Sequence, residues 1–401
     1  MMSLPHVPGF RVAGVSCGLK PEEALDLAFV VGDHPCVAAG LFTTNRVKAA
    51  PVLYDQQVLA NPTARVRAVV INAGNANACT GQRGLADVHR TAQEAATLLG
   101  CEPQQVLVLS TGVIGVPLPV EKIVHGLQTA LPALRPDGWE EAARAIMTTD
   151  TRPKLVHRQV MTPEGRYTIL GIAKGAGMIA PHMATMLALL VTDAAVPAPR
   201  LRQALTHATD ASFNRIVVDG DMSTNDTVLL LSSGASGVRA GGAAFTEALT
   251  QVAQALAQAI VRDGEGATKF IEVRVTGART PAEAEQIAQA IARSPLVKTA
   301  FYGGDPNWGR ILAAAGYSGV ALDPDRLALW FAPGTGADAG PALQLVANGQ
   351  PTDYDEAQAI ALLAHDEVTV RLDLGMGEAE GIVWTCDLSH DYVTINAHYR
   401  T

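Results

Sequence analysis

Thr185 is the residue of this sequence whose setting best fits covalent chemistry. It lies in the segment KGAGMIAPHMATMLALLVTDA, residues 174–194, where a glycine-containing loop leads directly into an apolar strand. A threonine hydroxyl is a weak nucleophile that needs an adjacent base, and a threonine at a chain terminus has that base in its own α-amino group. Because Thr185 is internal, this chemistry requires the peptide bond between Ala184 and Thr185 to break.

The residues before Thr185 fit a loop that exposes this peptide bond to attack. Gly175, Gly177 and Pro181 allow backbone conformations that other residues avoid, and the small Ala184 side chain leaves room for the hydroxyl to reach the preceding carbonyl. The simpler interpretation is that Thr185 begins a strand, which its β-branched side chain favours. Spacing alone favours this simpler interpretation.

Motifs of several other chemistries are missing from the sequence. It contains neither a GxxxxGK[ST] phosphate loop nor a GxSxG nucleophile elbow. The 10 histidines are scattered, without an HExxH pattern that would indicate zinc. A nucleoside triphosphatase, a serine hydrolase with a nucleophile elbow and a zinc enzyme are therefore disfavoured.

Composition places the chain among α/β proteins with a large core. It has 401 residues, 48% of them hydrophobic, and a net charge of −9 with dispersed basic residues, which argues against nucleic acid as a partner. No apolar run reaches the roughly 20 residues that a membrane helix needs, and the N-terminal segment lacks the pattern of a signal peptide. The five cysteines show no CxxC spacing, which favours free thiols and a cytoplasmic location.

Hydrophobic periodicity predicts alternating strands and helices. Buried strands are expected at 66–74 and 105–115, each followed by a polar or glycine-containing turn. Thr280 followed by Glu283 is typical of a helix start. Helices are predicted near residues 85–99, 120–130, 139–147, 199–209, 243–261 and 281–293. The pattern predicts a mixed α/β fold in which helices pack on sheets.

Nine segments together resemble the ornithine acetyltransferase family, also called glutamate N-acetyltransferases. They occur in family order and span nearly the whole chain, so the resemblance is specific. The segments are FTTNRVKAAPV (42–52), INAGNANACTG (71–81), STGVIG (110–115), TTDT (148–151), KGAGMIAPHMATMLALLVTDA (174–194), DGDMSTNDT (219–227), DGEGATK (263–269), GGDPNWGRI (303–311) and INAHYRT (395–401).

The resemblance implies a precursor that cuts itself between Ala184 and Thr185. Residues 1–184 would form an α chain and residues 185–401 a β chain, interwoven in a layered helix/sheet sandwich. It also implies that the Thr111 side chain and the Gly112 N–H form an oxyanion hole. A Thr-Gly turn at the end of a buried strand can direct both donors at one point, although without the resemblance an ordinary turn would be favoured.

The resemblance further implies six substrate contacts. A lysine can pair with a substrate carboxylate and a glutamate with an ammonium, while hydroxyl and amide groups fix orientation. Taken singly, these residues would be interpreted as solvated surface groups. The implied contacts are Thr148, Lys174, Thr185, Glu265, Asn396 and Thr401.

The reaction implied by the resemblance moves an acetyl group from N2-acetyl-L-ornithine to L-glutamate through an acetyl-Thr185 ester, a ping-pong scheme in arginine biosynthesis. No cofactor and no metal are implied, although the DGDMSTNDT loop is acidic. Whether acetyl-CoA also serves as an acetyl donor stays open. The expected assembly is an α2β2 heterotetramer.

Two alternatives lead to different expectations. A self-cleaving N-terminal-nucleophile amidohydrolase or aminopeptidase would share the Thr185 chemistry but use water as the acceptor. A binding or structural protein would have Thr185 merely begin a strand, and its chain would stay uncut. The second alternative leaves the set of nine segments unexplained.

Overall fold

The computed structural model describes residues 6–180 and 186–397, which form two compact units. The first unit contains the described residues up to Asn214 together with Asp221–Ile260. The second contains Arg215–Gly220 and the described residues from Val261 onward. The predicted cleavage point at Ala184 and Thr185 lies outside the described residues, so the division into α and β chains stays a prediction.

The described chain contains strands and helices in mixed order. The strands are β1 Phe10–Val15, β2 Leu27–Phe42, β3 Arg65–Asn75, β4 Val106–Val113, β5 Lys154–Thr162, β6 Gly165–Lys174, β7 Leu187–Thr192, β8 Ile216–Val217, β9 Thr227–Ser232, β10 Phe270–Ala278, β11 Ala328–Pro333, β12 Leu343–Ala347, β13 Gln350–Pro351, β14 Glu367–Asp373 and β15 Ala379–Cys386. The helices are α1 Ala50–Leu59, α2 Gly81–Leu99, α3 Val120–Ala133, α4 Trp139–Ala145, α5 Ala198–Asp210, α6 Ala243–Arg262, α7 Pro281–Arg293, α8 Pro295–Gly303, α9 Trp308–Gly316, α10 Glu356–Leu363 and α11 His390–Ala397.

The first unit is built on a mixed sheet of strand order β4-β3-β2-β9-β7-β6-β5, with β1 also paired to β2. The β3–β4 and β7–β9 pairs are parallel, and the other pairs of this sheet are antiparallel. Strands β6 and β7 form an antiparallel pair in which Lys174 lies opposite Leu187. Leu187 in turn lies opposite Thr227 of β9.

Helices cover both faces of this sheet, which explains why its central strands are continuously apolar. Leu170 and Ile172 belong to the same hydrophobic cluster as Trp139 of α4. Gly171 between them faces the opposite side, where a Cβ atom would come within 2.6 Å of Leu256 of α6. All six residues of β7 are therefore buried.

The second unit contains a separate mixed sheet of strand order β13-β12-β11-β14-β10-β15-β8. Helix α7 packs on β10 and β15. It begins at the predicted cap, where the Thr280 hydroxyl accepts a hydrogen bond from the Glu283 amide over 3.2 Å. Its buried side chains Ile287 and Ile291 join the apolar core of this unit.

The predicted mixed α/β class, with helices packed on sheets, is confirmed. The helices predicted near 85–99, 199–209, 243–261 and 281–293 correspond to α2, α5, α6 and α7. In the part of the chain that the structure describes, every helix is too short or too polar to cross a bilayer.

Candidate active site

The predicted oxyanion residue Thr111 and the predicted substrate residue Lys174 lie together in the first unit. Lys174 is the last residue of β6, and its Nζ donates a hydrogen bond to Thr111 Oγ1 over 3.2 Å. Both side chains are buried, with Lys174 only 2% exposed. Burying an ammonium group is costly unless it is compensated, so this contact indicates a specialised site.

Gly112 follows Thr111 in β4, and its backbone conformation requires glycine. Its φ is +133°, and a Cβ atom would lie 2.3 Å from the Gly74 carbonyl carbon of the neighbouring strand. The sequence predicted that the strand stops in a turn at Thr111 and Gly112, but β4 continues to Val113. The turn comes later because both residues still pair with β3.

Asp150 links the segment of Thr148 to the end of β6. Its Oδ2 accepts the Thr148 amide over 3.0 Å, and its Oδ1 accepts the Gly175 amide over 2.7 Å. Lys154 Nζ also donates to Oδ1, over 2.6 Å, and the two side chains of this ion pair are 1% and 0% exposed. Asp150 therefore anchors the two predicted substrate-binding segments around Thr148 and Lys174.

The charge state of Asp150 follows from its neighbours. Burial opposes ionisation of the carboxyl, but the positive charges of Lys174 and Lys154 outweigh burial and hold its pKa at about 2. Asp150 is thus ionised at neutral pH and offsets part of the positive charge of the two buried lysines.

Asp226 lies at the start of β9, beside the residue that follows the predicted nucleophile. Its Oδ1 accepts the Met186 amide over 2.8 Å, and the Thr227 amide donates to the Met186 carbonyl over 3.2 Å. Asp226 is completely buried, and its Oδ2 accepts no hydrogen bond from the described residues. Burial raises the pKa of Asp226 to about 8, despite the bond from Met186.

Asn225 makes a second connection from the same segment. Its Nδ2 donates to the Ser110 carbonyl over 2.8 Å and to the Ala76 carbonyl over 2.7 Å. Ser110 directly precedes Thr111 in β4, so the Asn225 side chain holds the oxyanion strand through the residue before Thr111. The side chain is itself fixed, because Thr224 Oγ1 donates to its Oδ1 over 2.6 Å.

Glu265 and Asn396 lie together in the second unit. Asn396 Nδ2 donates to Glu265 Oε2 over 2.7 Å and to the Tyr392 carbonyl over 3.0 Å, one turn back in α11. Glu265 is 9% exposed. The neighbouring Gly266 has a φ of +69°, and a Cβ there would lie 2.5 Å from the Tyr392 amide, so glycine permits α11 to approach this loop.

The remaining predicted site residues lie outside the described residues. They are Ala184, Thr185 and Thr401. In the described ranges, no group of three or more histidine, cysteine, aspartate or glutamate side chains could hold a metal ion.

Sequence reasoning missed four residues that hold the predicted ones in place. Asp150 and Lys154 follow Thr148 within six residues, but the ion pair between them became visible only in the fold. Asn225 and Asp226 belong to the DGDMSTNDT segment, to which no role was assigned. The available signal was a carboxylate placed directly before the apolar run TVLLLS of β9.

The sequence matches the model of the ArgJ family over residues 11–401. It is 49% identical, over 403 residues, to a Geobacter sulfurreducens protein named arginine biosynthesis bifunctional protein ArgJ, and the alignment covers 99% of this chain and 100% of that one. A protein of the same name from Symbiobacterium thermophilum is 49% identical over 401 residues, with coverage of 98% and 97%.

Two solved structures also align with this chain. The bifunctional protein argJ of Bacillus halodurans is 42% identical with a TM-score of 0.48, and the alignment covers 51% of this chain and 95% of that one. Ornithine acetyltransferase of Mycobacterium tuberculosis, solved with ornithine, is 45% identical with a TM-score of 0.39, and the alignment covers 44% of this chain and 92% of that one.

Proposed function

The chain belongs to the ArgJ family, and we propose that it transfers the acetyl group of N2-acetyl-L-ornithine to L-glutamate, releasing L-ornithine and N-acetyl-L-glutamate. It is an enzyme of arginine biosynthesis. Family membership favours transfer to an amino acid over the alternative of transfer to water.

The observation that carries the chemistry is the buried contact between Lys174 and Thr111. An ammonium group can only donate hydrogen bonds, so Thr111 Oγ1 must be the acceptor in this pair. The hydroxyl hydrogen of Thr111 is then left for another acceptor, and the adjacent positive charge makes it a stronger donor. This arrangement suits a hydroxyl that stabilises a developing oxyanion.

In the proposed first half-reaction, the free α-amine of Thr185 takes the proton of the Thr185 hydroxyl, whose oxygen attacks the acetyl carbonyl carbon. The carbonyl oxygen becomes an oxyanion that accepts hydrogen bonds from the Thr111 hydroxyl and the Gly112 amide. The C–N bond to ornithine then breaks, and the protonated Thr185 amine gives its proton to the leaving nitrogen. An acetyl ester of Thr185 remains.

In the second half-reaction, the amine of L-glutamate attacks the ester carbonyl. The same donors stabilise the oxyanion, and the C–O bond to Thr185 breaks as the hydroxyl regains a proton. Both amino acids carry an α-carboxylate, so one site can accept them in turn. The acetyl-threonine ester must be protected from water during this exchange.

In the first unit, Thr148 and Lys174 are held through Asp150, and we propose them as contacts to substrate. Glu265 and Asn396 are proposed as contacts from the resemblance, and their 2.7 Å hydrogen bond would orient the Glu265 carboxylate. Thr401 is proposed as a substrate contact from the resemblance alone.

The maturation and assembly of the enzyme are also part of the proposal. Cleavage between Ala184 and Thr185 gives an α chain of residues 1–184 and a β chain of residues 185–401, which remain together as an α2β2 heterotetramer in the cytoplasm. The relatives are named bifunctional, so an assay with acetyl-CoA and without acetylornithine is the direct check for a second acetyl donor.

Steady-state kinetics and product analysis test the proposed reaction. Varying acetylornithine at several glutamate concentrations should give parallel double-reciprocal lines, because an acetyl-enzyme separates the two half-reactions. N-Acetylglutamate should form in step with ornithine. Free acetate as the main product, with glutamate present, would instead support the amidohydrolase.

A further inference from the structure

Asn225 and Asp226 connect two parts of the first unit that the proposed reaction must hold at a fixed separation. The Asn225 side chain binds the carbonyl of Ser110, the residue before Thr111. The Asp226 side chain binds the amide of Met186, the residue after Thr185. Both side chains are buried, at 5% and 0% exposure, and the two residues are adjacent in the chain.

Met186 is fixed at both of its backbone polar groups. Its amide donates to Asp226 Oδ1 over 2.8 Å, and its carbonyl accepts the Thr227 amide over 3.2 Å. The nitrogen of Met186 is bonded covalently to the carbonyl carbon of Thr185. A displacement of the Asp226 carboxyl is therefore expected to shift the Met186 amide nitrogen, which is bonded directly to the proposed nucleophile residue.

The Asp226 backbone is anchored from a third strand. The Thr43 amide, which follows β2, donates to the Asp226 carbonyl over 2.9 Å, and the Thr43 hydroxyl donates to the Ser223 carbonyl over 2.9 Å. Contacts from β2 and β4 thus hold the Asn225–Asp226 segment, while the segment itself holds the first residue before β7.

We propose that Asn225 and Asp226 are a positioning pair that fixes Ser110, the neighbour of the oxyanion donor Thr111, relative to Met186, the neighbour of the proposed nucleophile Thr185. This inference rests on the proposed function, because it assumes that Thr185 attacks the acetyl group. The pair acts on the reacting groups only indirectly. Its effect is exerted through Ser110 and Met186.

The chemistry of each member predicts which substitutions preserve the role. Asp226 acts as an acceptor, and the amide oxygen introduced by an Asp226→Asn substitution can accept the Met186 N–H in the same place. Asn225 acts as a double donor to carbonyls, and an aspartate of the same size has no hydrogen to donate when ionised. Accepting this hydrogen bond does not require a negative charge on Asp226, which agrees with the raised pKa of its carboxyl. The charged group that acts on Asp226 is Lys174, whose positive charge lowers this pKa.

Asp193 provides a matched control within the same unit. It is also buried, and its Oδ1 also accepts a backbone amide, that of Thr168, over 2.6 Å. Asp193 directly follows β7, whereas Met186 directly precedes it. Asp193→Ala leaves the buried Thr168 amide without its acceptor, just as Asp226→Ala leaves the Met186 amide without its acceptor. The difference is that no proposed catalytic residue lies at the Asp193 end of β7.

The experiment compares Asn225→Asp, Asp226→Ala, Asp226→Asn and Asp193→Ala in the full-length enzyme. The readouts are the cleaved fraction by denaturing mass spectrometry, Tm, and the kcat and KM of the cleaved fraction. A misplacement of about 1 Å can cost on the order of 100-fold in rate, so we expect Asn225→Asp and Asp226→Ala to lower kcat by about that factor. KM should stay within about threefold, since substrate contacts are intact.

Asp226→Asn should keep kcat within about threefold of the wild type, because the acceptor is retained. Asp193→Ala should have a lower Tm than the wild type but the same kcat. A larger uncut fraction in Asn225→Asp and Asp226→Ala, absent in Asp193→Ala, supports the same conclusion, since cleavage uses the same hydroxyl. If Asp226→Ala does not fold, Asn225→Ser replaces it, because serine is too short to bridge Ser110 and Ala76.

The positioning role is overturned if Asn225→Asp and Asp226→Ala lower Tm but match Asp193→Ala in kcat and cleavage. It is also overturned if Asp226→Asn is as slow as Asp226→Ala. Failure of the proposed function is distinguishable, because in that case the wild type itself forms no N-acetylglutamate. An active wild type with variants that behave like Asp193→Ala rejects the positioning pair alone.

Discussion

The two ends of the β6–β7 hairpin use similar side chains in different environments. At the lysine end, defined by Lys174 and Leu187, the buried groups include two lysines and two aspartates: Lys154, Lys174, Asp150 and Asp226. The far end is defined by Thr168 and Asp193, and a cavity of about 490 Å³ lies there. It is lined by the buried Asp193 and by titratable side chains that are not buried: His6, His157, Glu164 and Arg166.

The difference favours the lysine end as the one shaped by function. A buried ion pair is weak evidence for stability, because desolvation can exceed the attraction between the charges. Burying several charges at one end of a hairpin therefore calls for a reason other than stability. The chemistry proposed for Thr111, Lys174 and Thr185 supplies one, since perturbed and buried ionisable groups concentrate at functional sites.

The largest expected effect is a difference in the stability lost when an aspartate is replaced at each end of the hairpin. Asp150→Asn removes the carboxylate that forms the buried ion pair with Lys154, and loss of one partner of a buried pair costs about 3–5 kcal/mol. Asp193→Asn should cost about 1 kcal/mol or less, because the amide oxygen still accepts the Thr168 N–H. Urea unfolding of both variants measures the difference, and equal losses would contradict the comparison.

A threonine-to-valine substitution at each end should affect kcat differently. Thr111→Val keeps the shape of the side chain but removes a proposed oxyanion donor, so kcat should fall by about 100-fold to 1,000-fold with little change in KM. Thr168→Val is the control at the far end and should leave kcat unchanged. A Thr111→Val enzyme with wild-type kcat would exclude the hydroxyl from the oxyanion hole.

Two glycines allow backbone strain to be separated from close packing. Gly112 and Gly165 have nearly the same φ, +133° and +134°, but a Cβ at Gly112 would lie 2.3 Å from backbone, whereas at Gly165 it would lie 3.1 Å from a methyl group of Val238. Strain of this kind costs about 1–3 kcal/mol in either alanine variant. We expect Gly112→Ala to lose more stability in urea unfolding; equal losses would show that the close approach to Gly74 adds nothing.

The last expected effect concerns the pH dependence of stability. The pKa of Asp226 is raised from 3.8 to about 8 in the folded chain, so the folded state holds a proton that the unfolded state releases above about pH 4. The stability that this bound proton contributes is fully present below about pH 4 and is lost as the pH rises to about 8. The stability of Asp226→Asn relative to wild type should therefore increase from pH 4 to pH 8. A constant difference in urea midpoint would contradict the raised pKa.

Local patterns in the sequence predicted much of the fold. Helix α7 was predicted from Thr280 and Glu283, and the structure shows that cap. Lys174 was expected to open a loop but is the last residue of β6, because its pairing with Leu187 extends the strand. The C-terminal segment was not predicted to be helical, yet α11 forms and packs closely on Gly266.

The parts of the site that sequence could not predict depend on pairing between distant segments. Asn225 reaches Ser110, 115 residues away, and Asp226 reaches Met186, 40 residues away. No local periodicity encodes these contacts. The Met186 contact depends on the pairing of β9 with β7, and the Ser110 contact reaches β4, which is not a neighbour of β9 in the sheet. Thr111 and Lys174 were singled out by the resemblance, but their mutual hydrogen bond was not foreseen.

The most direct test of the whole account is the intact mass of the purified protein under denaturing conditions, before and after mixing with N2-acetylornithine alone. The account predicts two fragments that meet at Ala184 and Thr185, with an added acetyl group only on the fragment of residues 185–401. An active enzyme that remains a single uncut chain, or that gains the acetyl group on residues 1–184, would contradict it.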